Sequence, residues 1–344
     1  MIHPNPVPFV LVHVACLAAL VTGVTATALV LCVALYFIRM FGVSAGYHRY
    51  FSHRAFKTSR AGQLALAVLA QSSAQRGVLW WAAKHRHHHK HSDAPEDVHS
   101  PRHRGFWYAH LGWIFTPQHE HTDLSAIPDL VRYPELRLLD SDKWRYVPAI
   151  LLAVGTLLIA GWPGLVVGFF WSTVLLYHGT FMINSLAHVH GTQRYVTGDD
   201  SRNNWWLALF TGGEGWHNNH HAYMASTRQG FRWWEVDPTF YMLKALSWVG
   251  VVWDLKEPPA ELVRNEKALG RGVVEKAARQ LAGSVSVPAS TGSQVPPPEE
   301  LRARAERMFA ATPSLDDIAG RAHELILQGV SAGRGGSRPA ERAV

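Results

Sequence analysis

The sequence predicts an all-α integral membrane protein, in which four transmembrane helices lie under a cytosolic helical cap that holds a dinuclear metal site. Two stretches indicate the membrane part, because residues 1–38 and 146–193 contain no lysine, arginine, aspartate or glutamate. Three histidine clusters in the remaining, more polar segments indicate the metal site. The charged fraction of 17% is well below the roughly 25% of a soluble domain, as expected for a chain that is partly surrounded by lipid.

The first apolar stretch is too long for one membrane span of about 20 residues. Thr22-Gly23-Val24-Thr25 marks a break in it, so we predict spans at about 7–22 and 26–46, with one long buried helix as the alternative. Arginine and lysine residues follow the second span, whereas the turn between the spans has none. The positive-inside rule therefore places the N-terminus and the residues after the second span in the cytosol.

The second apolar stretch is divided by Gly161-Trp162-Pro163-Gly164, which predicts spans at about 146–160 and 165–188. Residues 47–145 and 189–258 then form the cytosolic part. We expect a multi-pass protein of the cell (inner) membrane, with both termini and the active site in the cytosol.

Residues 61–82 are apolar but carry several glutamines and serines, which would be costly in lipid. We predict a helix that lies on the membrane surface or packs inside the cytosolic part. Trp80 and Trp81 at its end suit the membrane interface.

The chain changes character after residue 258. Residues 1–258 are predicted to form the membrane domain and residues 259–344 a C-terminal tail. Residues 281–298 are rich in glycine, serine and proline and predict a linker. Short amphipathic helices are predicted at about 299–311 and 314–329, and the last dozen residues are predicted to be disordered.

The composition narrows the choice of partners. The net charge is +7, but the basic residues are spread out and no nucleic-acid motif is present, so we expect no nucleic-acid partner. An anionic membrane surface, a phosphate-bearing substrate or an acidic protein fits this charge better. Cys16 and Cys32 lie in apolar sequence without a C-x-x-C motif, which argues against a zinc ribbon, an internal iron–sulfur cluster or a disulfide framework.

We call the three histidine clusters the first, second and third box, in chain order. The second box, residues 84–91, contains the pattern H-x-x-H-H, formed by His85, His88 and His89. In a helix, residues spaced three and four apart lie on one face, so these imidazoles would converge. Neutral imidazoles that converge can bind a metal ion. A solvated basic patch is the alternative for this segment alone.

Two further boxes strengthen the metal interpretation. The third box repeats H-x-x-H-H with His217, His220 and His221, and the first box contains His48 and His53. A spacing of five puts the last two about 140° apart on an ideal α-helix, so they bind different ions, or the helix is distorted there. Asn184 and His188 lie one turn apart where the fourth span ends and form a further candidate pair; a hydrogen bond at a helix end is the alternative.

The number and type of the candidate metal ligands favour redox chemistry. Catalytic zinc needs three ligands and an open position, and this many histidines exceed that number. Iron suits imidazole and changes its redox state, so a membrane-bound pair of ions indicates O2 chemistry on a lipid-soluble chain. Soluble di-iron bundles use Glu-x-x-His pairs on helices. The segments 96–99 and 214–217 match that pattern by letter, but Pro95 and the glycines around Glu214 argue against helices there.

The three boxes, together with N-x-x-x-H before the last one, resemble the membrane acyl-CoA desaturases of the stearoyl-CoA type, and especially the bacterial members. The resemblance extends from about residue 35 to 257. It implies four transmembrane helices under a cytosolic cap with two irons. His87 and His91 would be surface or supporting groups, and His99 receives no firm role. The implied metal ligands are His48, His53, His85, His88, His89, His188, His217, His220 and His221, with Asn184 acting through a water.

The resemblance also implies a reaction and its partners. The substrate would be acyl-CoA or another acyl lipid, into which O2 and two electrons introduce a cis double bond. A shaped apolar tunnel must select one methylene, and tryptophan and phenylalanine residues are available to line it. A ferredoxin or b-type cytochrome with its reductase would supply the electrons. Arg194 and Tyr195 are candidate substrate contacts by resemblance. A di-iron hydroxylase or alkane monooxygenase is the first alternative, and a histidine-rich metal transporter the second.

Overall fold

The computed structural model describes residues 6–285 and 295–335, and the described chain is helical, as predicted. It forms two compact units. The first contains the chain up to Thr192 together with Arg202–Pro258, and the second contains Gln193–Ser201 and the described residues from Pro259 on. The third box and the other two boxes all lie in the first unit.

The first unit begins with two apolar helices. Helix α1 spans Val7–Thr22 and α2 spans Ala26–Ser52. Between them Gly23 has a φ of 76°, which glycine adopts without strain, and the Thr25 side chain accepts a hydrogen bond from the Ala28 N–H at the start of α2. The predicted break at 22–25 is therefore a capped turn.

Two described helical segments are long and apolar enough to cross a membrane, Ala26–Ser52 and Val147–His188, and the chain is membrane-associated. The second segment is bent, because Ala160 and Gly161 have non-helical backbone angles. It consists of α9, Val147–Pro163, and α10, which begins as a π-helix at Gly164–Trp171 and continues as the α-helix Ser172–Asn184. The predicted division at Gly161–Gly164 is the site of this bend.

Helix α10 packs between the first two helices. It runs antiparallel to α1, since the Trp171 indole donates to the Cys16 carbonyl and His178 contacts His13 further along. It runs parallel to α2, because Gly168 lies against Leu31 and Gly179 against Tyr36. The C-terminal ends of α2 and α10, which carry the first box and His188, consequently lie at the same end of the bundle.

The prediction of one helix over 61–82 is wrong. The segment forms α3, Arg60–Gln71, and the start of α4, Val78–His91. The backbone N–H groups of Leu79 and Trp80 donate to the Asp140 carboxylate, which satisfies the first turn of α4. Because the capping residue lies sixty positions further along the chain, the local pattern could not reveal the break.

The remaining helices of the first unit are short. They are α5, Pro101–Arg104; α6, Phe106–His110; α7, Pro128–Val131; α8, Pro134–Asp140; α11, Trp205–Phe210; α12, His217–Ala222; and α13, Pro238–Trp248. A two-stranded antiparallel sheet pairs β1, Lys57–Thr58, with β2, Val252–Trp253. This sheet ties the end of the unit to the segment that follows the first box.

The second unit contains α14, Ala260–Val263; α15, Arg271–Gly283; α16, Pro298–Met308; and α17, Leu315–Gly335. Helices α16 and α17 overlap the helices predicted at about 299–311 and 314–329. Helix α15 was not predicted, and its last turn overlaps the start of the predicted linker. Half of that linker and most of the last dozen residues lie outside the described residues.

A substitution at Gly215, just before the third box, tests how tightly this segment must pack. A Cβ there would lie 2.2 Å from the Ala208 backbone nitrogen, and backbone cannot yield as a flexible side chain can. We expect Gly215→Ala to lower the free energy of unfolding by about 1–3 kcal/mol, the usual effect of overpacking. Thermal unfolding of the purified protein in detergent measures this.

Gly155→Ala is the matched control, because a Cβ at this position in α9 meets nothing within 4 Å. We expect it to raise stability by about 0.5–1 kcal/mol, since it only restricts the unfolded chain. Equal effects of the two substitutions would contradict the packing argument.

Candidate metal centre

The nine predicted histidines come together in two groups beside one another. The five-histidine group and the four-histidine group each place their ring nitrogens within 4.8 Å of one another. The first consists of His48, His53, His85, His89 and His220, and the second of His88, His188, His217 and His221.

Helix geometry explains how the boxes are divided. Residues four apart point in nearly the same direction, whereas a residue three apart points about 60° to the other side, because each residue turns about 100°. In the second box His85 and His89 enter the five-histidine group and His88 enters the other. In the third box His217 and His221 enter the four-histidine group and His220 crosses to the first. The second and third boxes therefore each contribute to both groups.

The first box is placed by a distortion of α2. The last part of this helix, Gly42–Ser52, is a π-helix, in which hydrogen bonds join residues five apart. The His53 N–H donates to the His48 carbonyl accordingly, and the two imidazole centroids lie 4.9 Å apart. Of the two possibilities that the sequence left open, the structure has the distorted helix, and both residues join the five-histidine group.

The approach of the ring nitrogens fits a metal ion. In the five-histidine group the Nε2 atoms of His53 and His85 are 2.8 Å apart, those of His85 and His89 2.9 Å, and those of His48 and His220 3.0 Å. Two nitrogens bound at right angles to one ion at about 2.1 Å lie about 3.0 Å apart. In the other group the Nε2 atoms of His188 and His217 are also 3.0 Å apart. The buried Nε2 of His88 has no hydrogen-bond partner among the described residues.

Buried carboxylates orient three of the imidazoles. The Nδ1–H of His88 donates to Asp97 at 2.9 Å, and that of His188 donates to Asp93 at 2.8 Å. His48 pairs through Nδ1 with Glu214. Donation from Nδ1 leaves the Nε2 lone pair available as a ligand and fixes the orientation of the ring. Sequence reasoning missed these residues, although Asp93 and Asp97 directly follow the second box.

The carboxylates remain charged because they are paired. Burial alone would raise the pKa of Glu214, but His48 and the Arg49 guanidinium outweigh it and hold the pKa at about 2. Burial likewise opposes ionisation of Asp97, yet the neighbouring His88 holds its pKa well below the usual range. Arg49 also donates to Asp237 at 3.0 Å, so the guanidinium bridges two buried acids.

Five of the imidazoles favour the neutral form. Burial is the largest cause, and repulsion from neighbouring imidazoles is the next. Together they lower the pKa of His53, His85, His89, His217 and His220. A neutral imidazole offers a lone pair and binds a cation without first losing a proton.

The remaining candidates lie in different places. The α-helical part of α10 ends at Asn184, and a 3₁₀ turn, Leu186–His188, continues the helical segment to His188, where the fourth span was predicted to end. The His99 ring lies against the His88 ring in a tilted arrangement, with ring centroids 4.2 Å apart. Arg194 and Tyr195 belong to the second unit, where the Tyr195 hydroxyl donates to the Val263 carbonyl. Their role as substrate contacts stays a prediction.

A cavity of about 670 Å³ reaches the metal centre from the membrane helices. His85, His99 and Asn184 line it at one end, and its walls are mainly apolar. Trp81 is part of the wall, and Trp80 is buried and stacks on Trp113, so the prediction that both anchor the chain at the membrane interface is wrong. Apolar wall residues include Phe9, Ala149, Leu157, Phe169 and Phe181.

A helical, membrane-associated chain with nine clustered imidazoles beside an apolar cavity has the features of a membrane-bound oxidoreductase that acts on lipid chains. The chain belongs to the fatty acid desaturase family, whose model matches residues 25–250. It is accordingly an oxidoreductase of lipid metabolism.

Three relatives differ in the acyl carrier that their names specify. The chain is 38% identical over 232 residues to the sn-1 stearoyl-lipid 9-desaturase of Synechocystis sp., covering 65% of this chain and 70% of that protein. It is 37% identical over 250 residues to the acyl-CoA 5-desaturase of Anemone leveillei, covering 72% and 77%. It is 36% identical over 259 residues to the hex-5-enoyl-[acyl-carrier protein] acetylenase of Moorena producens, covering 69% and 79%. Similarity at this level therefore does not distinguish among carriers.

The carboxylates of the metal centre provide a direct test. We expect Asp97→Asn and Asp93→Asn to weaken metal binding by about 10–100-fold, the usual effect of removing a partner that orients a ligating histidine. Metal content per chain after dialysis against a graded chelator measures this. Asp142→Asn, at an exposed position, is the matched control. Unchanged affinity in both buried variants would contradict the orienting role.

The metal-free protein should lose stability as the pH falls below about 6.5, the pKa of an ordinary histidine. The unfolded chain takes up protons there, whereas the folded centre resists them because burial keeps the pKa of its imidazoles low. The unfolded state then binds more protons, so the free energy of unfolding decreases as the pH falls.

Thermal unfolding midpoints between about pH 8 and about pH 5 measure this dependence. Glu214, with a pKa of about 2, stays charged throughout this range and does not contribute. The metal-loaded protein is the control, since a bound ion keeps its ligands deprotonated. A flat profile for the metal-free protein would argue against neutral, buried imidazoles.

Proposed function

We propose that this protein is an acyl-CoA desaturase that introduces a cis double bond into a saturated acyl chain, using O2 and two electrons from a separate donor protein. The observation that carries this proposal is the apolar cavity that leads from the membrane helices to His85, His99 and Asn184. A long apolar chain fits such a cavity, and its walls bring one part of that chain beside the metal centre.

The centre would hold two iron ions. His48, His53, His85, His89 and His220 would bind one, and His88, His188, His217 and His221 the other, with Asn184 acting through a water. Bound iron would supply the activation of O2 that removal of hydrogen from a methylene requires. Histidine is a suitable ligand because it forms a redox-active site without an oxidisable thiol.

The protein's own contribution is to position the substrate and exclude water. Neighbouring methylenes are chemically alike, so selectivity must come from where the chain is held. Phe169, Phe181 and Trp81 form rigid aromatic walls at the cavity. An apolar wall also keeps bulk water away from the reacting part of the chain.

The charged end of the substrate has candidate partners. Arg76 and Lys84 are the lysine and arginine residues that line the cavity, and Arg76 also pairs with Glu120 at 3.0 Å. We propose that these cations face the acidic groups of the acyl carrier. The proposal of CoA rests on the resemblance of the boxes, and the lipid and carrier-protein names of two relatives make those esters the alternatives to test.

The helix packing supports a proposal for the membrane arrangement. We propose that α1, α2, α9 and α10 all span the cell inner membrane, with both termini and the metal centre in the cytosol. Residues 1–258 would be the membrane domain and residues 259–344 the tail. The parallel course of α2 and α10 supports this, because it brings the first box and His188 to one side.

The electron donor would be a ferredoxin or a b-type cytochrome with its reductase. Cations lie beside the five-histidine group, where Arg54 and Arg86 share Asp129 and Lys256 donates to the Arg54 carbonyl. These three cations exceed the single acid, so an acidic donor would be attracted. Turnover that does not change with ionic strength would count against this partner.

Expression in a host that lacks unsaturated fatty acids tests the reaction. We expect the protein to restore growth and to produce acyl chains two hydrogens lighter by mass spectrometry, and we expect His88→Ala to abolish both. A product heavier by one oxygen would instead indicate a hydroxylase. Supplying the acyl chain to membranes as the CoA, lipid or carrier-protein ester identifies the carrier.

The same assay tests the cavity. Ala153 lines it, so we expect Ala153→Phe to shift the product towards shorter chains or to lower the yield at least several-fold. Leu158→Phe is the matched control, since Leu158 lies on the same helix and is exposed. Equal product profiles for the two variants would contradict the assignment of the cavity to the acyl chain.

A further inference from the structure

The outward face of α13 is apolar. Tyr241, Met242, Trp248 and Val249 are all exposed, with Trp248 at 77%, while Thr239, Phe240 and Leu243 on the opposite face are buried. Lys244 is the only charged residue of this helix. A helix at a water-exposed surface has the reverse pattern, with charged residues outward.

Helix α11 has the same character. It contains no charged residue, and Trp205, Leu209 and Phe210 are exposed, the last by 58%. Single exposed apolar residues are normal, but a contiguous set on neighbouring helices marks a surface that contacts a protein or a membrane.

Contacts with α2 locate this surface. The Tyr36 hydroxyl, on the membrane-span candidate α2, donates to the Phe210 carbonyl at 2.9 Å. Gly212 lies against Met40 of α2, and the Thr239 N–H at the start of α13 donates to the Gly212 carbonyl at 3.1 Å. The end of α11 and the start of α13 therefore lie at the level of residues 36–40, within the apolar part of α2.

The same level of α2 is itself apolar and exposed, at Val33, Phe37 and Ile38. The apolar surface of α11 and α13 is therefore continuous with the face that α2 would present to lipid. Connecting residues 211–215 are buried, as irregular backbone must be at membrane depth. Lys244 and Arg232 lie at the edge of this apolar surface, where cations can reach lipid headgroups. The Arg232 guanidinium stacks on Trp234.

We propose that α11 and the outward face of α13 are inserted into the membrane leaflet on the side of the metal centre. The surface, which we call the lipid collar, consists of Trp205, Leu209, Phe210, Tyr241, Met242, Trp248 and Val249. Its partner is lipid rather than protein because it continues the surface of a membrane helix. This proposal differs from the expectation that all of residues 189–258 lie in the cytosol, and it rests on the proposed crossing of the membrane by α2.

Nitroxide labels on the full-length protein test the lipid collar. Cys16 and Cys32, the only cysteines, are first replaced by alanine, and Leu209→Cys or Trp248→Cys then carries the label. Leu124→Cys is the matched control, because Leu124 is exposed by 49% and Leu209 by 44%, and Leu124 lies in the 3₁₀ turn packed on α4. The protein is placed in vesicles of phosphatidylethanolamine and phosphatidylglycerol, and spin relaxation by O2, which partitions into lipid, is compared with relaxation by a water-soluble nickel chelate.

We expect the ratio of oxygen to nickel relaxation to be several-fold higher at residues 209 and 248 than at residue 124. A label at Val30→Cys, on the exposed face of α2, reports separately whether α2 is in lipid. Lipid-like values at residue 30 with water-like values at residues 209 and 248 would overturn the lipid collar alone. Water-like values at residue 30 would overturn the membrane crossing on which it rests.

Discussion

The angular spacing of residues on an α-helix is the constraint on which the metal centre depends. In H-x-x-H-H the residues four apart point one way and the third points about 60° to the other side. His85 and His89 therefore join one group while His88 joins the other, and the third box repeats this division with the groups exchanged. Because each of two short helices supplies both groups, neither group can form unless both helices are placed correctly. The site is thus a joint property of α4 and α12.

Burial of so many polar rings requires partners that the rings cannot provide for one another. Asp97, Asp93 and Glu214 accept hydrogen bonds from three of them and select the tautomer that leaves Nε2 free. These acids need compensation in turn, and Arg49 supplies it for Glu214 and Asp237. A buried charge without a partner costs several kcal/mol, so the network is either complete or destabilising. The Arg49 of the first box is therefore part of the structure of the site.

Prediction from sequence succeeded where a short pattern decides the outcome. The histidines of the second and third boxes were candidates because their spacing puts them on one helix face. His48 and His53 were candidates as a further cluster, and His188 as part of a polar pair at the end of a span. The bend at Gly161 was predicted because glycine and proline interrupt an apolar run. It failed where distant residues decide. Hydropathy does not distinguish the π-helix Gly42–Ser52 from an α-helix, so the distortion was only one of two possibilities left open. The orienting acids Asp93 and Asp97 have the sequence context of ordinary turn residues. The exposed faces of α11 and α13 could not be distinguished from core, because composition does not show which side a helix buries.

The break between α3 and α4 shows why such long-range effects matter for function. The break places Ala74, Gln75 and Arg76 in the wall of the cavity, together with Trp80 and His85. A continuous helix would have no turn at this position. Ala74 and Arg76 adopt positive φ angles of 58° and 75°, which non-glycine residues hold only when their surroundings enforce it. The enforcing contacts come from the membrane helices: the Tyr177 hydroxyl of α10 donates to the Ala74 carbonyl, and the Tyr47 hydroxyl of α2 donates to the Arg76 carbonyl. The two helices that carry His48 and lead to His188 therefore also shape the wall of the cavity, which couples the shape of the cavity to the position of the clustered histidines.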